Sequence, residues 1–193
     1  DFDCKNMTKE EFMAMTDDIV VFLQQLGLKI ETRDRKNERL TAYRRNLYFP
    51  ELLFNMGLTG HREERFLIKI EAQDQGVEYQ PEVKYVNGCG KFFPLQVPPD
   101  SVLCAMKISA LLTRSKGRDF YDTMFLLGLG IEPDYAFLQQ RTGITSKEEL
   151  KQAMITLVQK LDMTQKKNDF QHMVFMSGSN EKILHFEEFI RAW

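Results

Sequence analysis

The chain has 193 residues, 43% of them apolar, long enough for one large domain or two small ones with a real core. Its 26 basic and 28 acidic residues nearly cancel, which excludes the strongly basic balance of a general nucleic-acid binder and leaves only local patches for such contacts. Three cysteines (Cys4, Cys89, Cys104) and three scattered histidines (His61, His172, His185) lack ligand spacing, an argument for a reducing compartment and against a disulfide frame, structural zinc or haem.

No apolar run approaches the length of a transmembrane helix and no signal sequence is visible. The chain therefore reads as cytoplasmic and soluble, with no membrane partner. It begins at Asp1 in what reads as a strand, so the start is expected to be truncated.

Thr8 and Glu11 form a capping box, and Phe12, Met15, Ile19, Phe22, Leu23 and Leu26 predict one helical stripe ending at Gly27. Leu28, Ile30 and Thr32 alternate with Lys29, Glu31 and Arg33, a strand signal. A turn near Lys36-Asn37 leads to a partner strand around Leu40 to Leu47. Between Lys29 and Arg45 lie seven basic residues (Lys29, Arg33, Arg35, Lys36, Arg39, Arg44, Arg45) and three acidic ones (Glu31, Asp34, Glu38). The basic side chains are expected to face solvent or a ligand.

Phe49 to Gly57 predicts a helical turn or two. Phe66 to Gln73 alternates as a strand, with Lys69 and Glu71 on one face of an otherwise apolar element. Val83 to Val86 and Lys91 to Val97 flank Asn87-Gly88-Cys89-Gly90, a hairpin signal. Pro98-Pro99-Asp100 marks the expected boundary between units 1–97 and 98–193. Beyond it helices are predicted over 100–114, 119–129, 133–141, 146–161, 165–176 and 180–191. The fold class is α+β, with a mixed sheet and helices in the N-terminal half and an all-helical C-terminal half.

The most informative run is Lys107 to Asp122. On a helix over 100–114, Lys107, Leu111 and Arg114 share a face, while Ile108 and Leu112 can pack inward. Gly117 is expected to end that helix or turn the chain, with Arg118-Asp119 opening the next. Lys107 to Arg118 holds four basic residues and no acid. Two cations on one helix face suit an anionic substrate; a solvated helix–loop–helix corner is the plain alternative, with Asp119 as a helix-capping acid.

The spacing Lys107, Arg114, Arg118-Asp119 and Asp122 resembles the last motif of the AbiEii-type toxin nucleotidyltransferases, within the polymerase-beta-like superfamily. Asp1-Phe2-Asp3 resembles the tail of that family's aspartate strand, Leu53 to Leu58 its short Leu-rich turn, and Ile68-Lys69-Ile70-Glu71 its third-carboxylate strand. The resemblance covers about the first 130 residues, and the later helices match in kind. The family's Gly-Gly or Gly-Ser turn before its aspartates is not in the sequence. A chain starting at Asp1 would then be a weak or dead enzyme, and one with that segment upstream could have a whole site.

The resemblance implies a nucleotidyltransferase-like catalytic unit over 1–97 and a helical unit carrying the motif. It implies transfer of a nucleoside monophosphate from a nucleoside triphosphate to RNA, most readily a tRNA end, by a toxin with a cognate antitoxin partner. Magnesium, which takes hard oxygen ligands, would be held by Asp1, Asp3 and Glu71, with Asp1 in the metal pair either beside Asp3 or beside an upstream aspartate. Lys107 would contact the triphosphate, together with Lys69, Arg114 and Arg118. Asp1, Lys107, Asp119 and Glu71 are the catalytic candidates, although Asp119 and Asp122 could equally anchor the motif. The basic strand pair from Lys29 to Arg45 is the candidate RNA-backbone contact. Two alternatives stay open: an inactive nucleotide- or RNA-binding relative, and a small-molecule nucleotidyltransferase.

Overall fold

The computed structural model describes residues 2–33, 42–174, 176 and 178–193, the first two by their backbone. Two compact units divide between Gly76 and Val77. The first holds β1 (Phe2–Asp3), α1 (Lys9–Gln25), β2 (Glu31–Thr32), β3 (Tyr43–Pro50), α2 (Leu52–Asn55) and β4 (Arg65–Gln73). Its sheet is mixed, in the order β1-β4-β3-β2, with β1 parallel to β4 and the other pairs antiparallel.

The expected capping box is present: Thr8 N donates to Glu11 Oε2 at 2.7 Å, and Glu11 N donates to Thr8 Oγ1 at 3.2 Å. The buried face of α1 is turned from the expected stripe. Phe12 and Thr16 are fully buried, Met15, Ile19 and Leu23 pack partly, and Phe22 and Leu26 lie 58% and 63% exposed. Thr16 causes the shift. Its hydroxyl is satisfied within the helix by the Phe12 and Met13 carbonyls, both at 3.0 Å, so a residue that an apolar count omits can occupy the core-facing row.

Leu47 and Phe49 of β3 and Ile70 and Ala72 of β4 bury the sheet's inner face under α1. Their register fixes the opposite face: Arg44 opposes Glu71, Asn46 opposes Lys69 and Tyr48 opposes Leu67. The strand around Lys29 is shorter than its alternation suggests, pairing only through Glu31 and Thr32. The turn near Lys36-Asn37 lies outside the described residues. Pro50 closes β3 rather than opening the helical turn, which forms over Leu52–Asn55.

The second unit contains the hairpin β5 (Glu82–Gly88) and β6 (Lys91–Val97), then α3 (Asp100–Arg114), α4 (Gly117–Gly128), α5 (Tyr135–Thr142), α6 (Lys147–Val158), α7 (Met163–Asp169) and α8 (Phe186–Ala192). Short 3₁₀ turns at Gln171–Met173 and Ser179–His185 replace parts of the last two predicted helices. Its core gathers Ile108, Leu111, Phe120, Leu138, Leu150, Met154 and Phe186, all fully buried. The unit begins earlier than the Pro98-Pro99-Asp100 boundary because Val77 and Tyr79 pack against this helical core and Lys84 bonds Asp100.

Gly117 differs from expectation. The left-handed residue that ends α3 is Ser115, at φ +49°, whereas Gly117 is the first residue of α4 and serves close packing. A Cβ there would stand 1.9 Å from the Lys166 carbonyl oxygen and 2.7 Å from the Phe170 ring.

Candidate active site

The corner between α3 and α4 turns the Lys107 to Asp122 motif into two ion-pair rungs. Near the connection, Arg114 Nη2 donates to Asp119 Oδ1 at 2.7 Å and Nε donates to Oδ2 at 3.0 Å, a two-pronged contact. Asp119 Oδ2 also accepts the Lys116 backbone N–H at 3.0 Å. Further along, Lys107 Nζ donates to Asp122 Oδ2 at 2.7 Å.

These rungs differ in access. The Asp119 side chain is 0% exposed and that of Arg114 is 42% exposed, so the carboxylate is enclosed while the guanidinium reaches solvent. Asp119 holds the Arg114 guanidinium above its ordinary pKa, chiefly by hydrogen bonding, against a smaller opposing effect of burial. A guanidinium has five N–H donors. With Nε and Nη2 committed to Asp119, Arg114 Nη1 has no hydrogen-bond partner among the described residues. Lys107 and Asp122 are 39% and 32% exposed, so their contact can exchange with an incoming anion.

Leu111 is buried, not aligned with Lys107 and Arg114 on an open face. The two cations instead extend their heads past the edge of the apolar face that Ile108 and Leu111 occupy, which long aliphatic stems permit. Lys116 and Arg118 are exposed at the start of α4, and their side-chain cations have no carboxylate partner among the described residues. Lys116 is not a position of the motif, yet the structure adds it to the cationic set. Its signal in the sequence is its place in an acid-free basic run.

In the first unit, Glu71 is held by Arg44 directly across β3 and β4. Both side chains are partly accessible, Arg44 at 34% and Glu71 at 24%. Lys69 is exposed two residues away. The strand carrying Asp3 runs parallel beside β4, with Asp3 in register with Gln73; Asp1 and the Asp3 side chain lie outside the described residues. Among the described residues, no group of three His, Cys, Asp or Glu side chains is placed to hold a metal ion. The described fraction of the predicted magnesium set is therefore Glu71 together with the backbone of an adjacent strand.

The basic strand pair is more committed than expected. Arg45 is buried against α1, where it pairs with Asp17, because consecutive strand residues point to opposite faces and Arg44 takes the outer one. Lys29 pairs with Glu51 at 3.4 Å and Arg33 with Glu31 at 2.9 Å. Arg35, Lys36 and Arg39 lie outside the described residues. No described helix is long and apolar enough to cross a membrane.

No curated protein and no solved structure matches the chain. A family model does match, described as the nucleotidyl transferase AbiEii toxin of type IV toxin–antitoxin systems, and it covers residues 13–192. With the motif's cations and carboxylates brought together at one corner and nearly the whole chain matched, the protein belongs to the AbiEii family of nucleotidyltransferase toxins.

Proposed function

We propose that this nucleotidyltransferase uses magnesium to transfer a nucleoside monophosphate from a nucleoside triphosphate to an RNA end, with tRNA as acceptor and a cognate antitoxin as regulator. The observation that carries the triphosphate assignment is the cationic corner: Lys107, Arg114, Lys116 and Arg118 all reach solvent, and among the described residues only the side chains of the first two have carboxylate partners. Phosphoryl chemistry is accelerated largely by positioning and by charge placed where it develops.

Each residue then has a distinct task. Lys107 exchanges Asp122 for a phosphate oxygen and acts as a compact charge. Arg114 presents Nη1 to a second oxygen from a fork that Asp119 fixes, which makes Asp119 a positioning residue. Arg118 and Lys116 attract the polyanion and hold its outer phosphates. As the acceptor hydroxyl oxygen bonds to the α-phosphorus and gives up its proton to solvent, the bond to the bridging oxygen breaks and pyrophosphate leaves carrying the displaced charge.

Magnesium, when bound, supplies further neutralisation of the phosphates. Asp1, Asp3 and Glu71 are the proposed ligands because carboxylate oxygens suit that ion and because β1 lies directly beside β4. Glu71 would have to loosen its contact with Arg44, which its partial exposure allows. Lys69 is assigned to the nucleotide, and the accessible Lys29 and Arg33 to the RNA backbone.

The test is incubation with magnesium, total tRNA and each labelled nucleoside triphosphate in turn. Label on tRNA that requires magnesium supports the proposal and identifies the nucleotide. Label on a small molecule alone, or triphosphate binding without transfer, contradicts it.

A further inference from the structure

The first unit holds a cavity of about 200 Å³ to which the roles assigned above give no work. It lies where β1 and β4, the parallel pair of the sheet, come to an end. Asp3 is in register with Gln73, and the pairing runs one residue further as Cys4 N donates to the Gln73 carbonyl at 3.3 Å. Cys4, Ala72, Gln73 and Asp74 all line the cavity, so it begins one residue past Asp3 on one strand and one past Glu71 on the other. A crevice beyond the carboxyl ends of parallel strands is a common ligand position.

Its lining divides by chemistry. Cys4 and Ala72 are 6% and 1% exposed, and Tyr43, directly opposite Ala72 on β3, has its ring held against Phe12 at 5.7 Å between centroids. These three make an apolar floor with one fixed aromatic ring. Asn6 and Asp74 are exposed and form the polar rim. Asp74 Oδ1 accepts the Gly76 N–H at 2.7 Å. Its other oxygen and the Asn6 amide have no hydrogen-bond partner among the described residues.

Charge and size select the occupant. No residue lining the cavity is Lys, Arg or His, and the Asp74 carboxylate repels phosphate. The volume is below the roughly 300 Å³ at which ligand pockets begin to enclose a whole drug-sized molecule, so it suits one flat neutral group. A nucleobase has both surfaces that the lining asks for. Its ring faces match the apolar floor and the Tyr43 ring, and its edge carries N–H donors and carbonyl acceptors for a carboxylate and an amide.

We propose that this cavity receives the base of the nucleoside triphosphate, with Asn6 and Asp74 reading its edge and so setting the nucleotide preference. The identity of the ligand rests on the nucleotidyltransferase reading above. Base binding itself requires neither magnesium at Asp3 nor an RNA acceptor.

The deciding experiment is calorimetric titration of the full chain with each of the four ribonucleoside triphosphates and with inorganic tripolyphosphate, which has no base. Asn6→Ala/Asp74→Ala is expected to weaken the best-bound nucleoside triphosphate by about tenfold or more and to bring the four affinities closer together. Tripolyphosphate should bind the double variant no more weakly than the wild type. Circular dichroism melting verifies that the variant is folded.

Photolabelling of the wild type with a triphosphate carrying a photoreactive base adds a readout that needs no variant. The adduct, mapped by mass spectrometry and displaced by unlabelled nucleotide, is expected at residues 4–7, 43 or 72–74. Unchanged nucleotide affinities in the folded double variant, an equal loss for tripolyphosphate, or a displaceable adduct confined to other segments would overturn the base pocket. So would a wild type that binds tripolyphosphate as tightly as every nucleoside triphosphate. Loss of base-dependent affinity in the double variant, where the wild type transfers no label to any acceptor, would retain the pocket and remove the transfer reading. Unchanged nucleotide preference in a double variant that labels RNA fully would do the opposite.

Discussion

Asp119 and Glu71 each hold an arginine, but one carboxylate is sealed inside the α3–α4 corner and the other lies partly open on the outer face of the sheet. That difference separates two kinds of work. An enclosed carboxylate with its oxygens committed to a guanidinium and a backbone N–H is a fixed support, because leaving its partners would expose an uncompensated charge in a dry setting. A partly exposed cross-strand pair is screened and costs little to open, so Glu71 can exchange Arg44 for another cation. The corner pair is enclosed on its carboxylate side, whereas the pair on the sheet is open at both ends.

The corner is packed most tightly at Gly117. Gly117→Ala forces a methyl group onto the Lys166 carbonyl and the Phe170 ring. Both are close enough that backbone must move, so urea unfolding should show a loss of about 3 kcal/mol or more. An unchanged midpoint would mean that the corner is softer than its packing implies.

Asp119→Asn comes next. It retains the shape but weakens the support of Arg114 and places an amide where two N–H groups converged. The expected cost is about 2 kcal/mol, below that of breaking a fully buried ion pair because Arg114 reaches solvent. Transfer activity should fall with it, and Asp119→Glu should not restore either. Normal stability with lost activity would instead make Asp119 a direct participant.

The helical unit also sets a limit on alkaline stability. Burial pushes the Cys104 thiol from an ordinary value of 9.0 up to about 12, with a smaller contribution from Glu132. The folded chain keeps this proton while the unfolded chain releases it, so the stabilisation is whole below pH 9.0 and declines as pH rises toward about 12. Cys104→Ala should flatten that part of the stability profile, measured by thermal melting across alkaline pH. An unchanged slope would assign the alkaline loss to other groups.

Glu71→Gln removes the charge from the open pair on the sheet. Stability should change by no more than about 1 kcal/mol, while magnesium-dependent transfer should be lost. A large drop in melting temperature would show that the Arg44 contact is structural.

These contrasts also explain what could be read in advance. Periodicity located α1, the β5–β6 hairpin and the main helices, since spacing reports which residues lie on one face. The charged types at Lys107, Arg114, Arg118, Asp119 and Asp122 were legible for the same reason. Burial within a motif was not. Asp119 and Arg118 are sequence neighbours with opposite access, and only the packing of α4 decides which is enclosed. Arg45 was hidden similarly: alternation requires Arg44 and Arg45 to part, but only the position of Asp17 on α1 gives the buried one an ion-pair partner. Gly117 read as a turn because its need for space comes from Lys166 and Phe170, far along the chain.

In the proposed function the corner's open cations handle the triphosphate while its buried carboxylate only positions them. Lys107→Ala tests it most directly, because an exposed lysine contributes within about 0.5 kcal/mol to stability yet should carry transition-state charge. Label transfer from the nucleoside triphosphate should fall by about a hundredfold or more in a variant that melts like the wild type. Full transfer by that variant would contradict the claim.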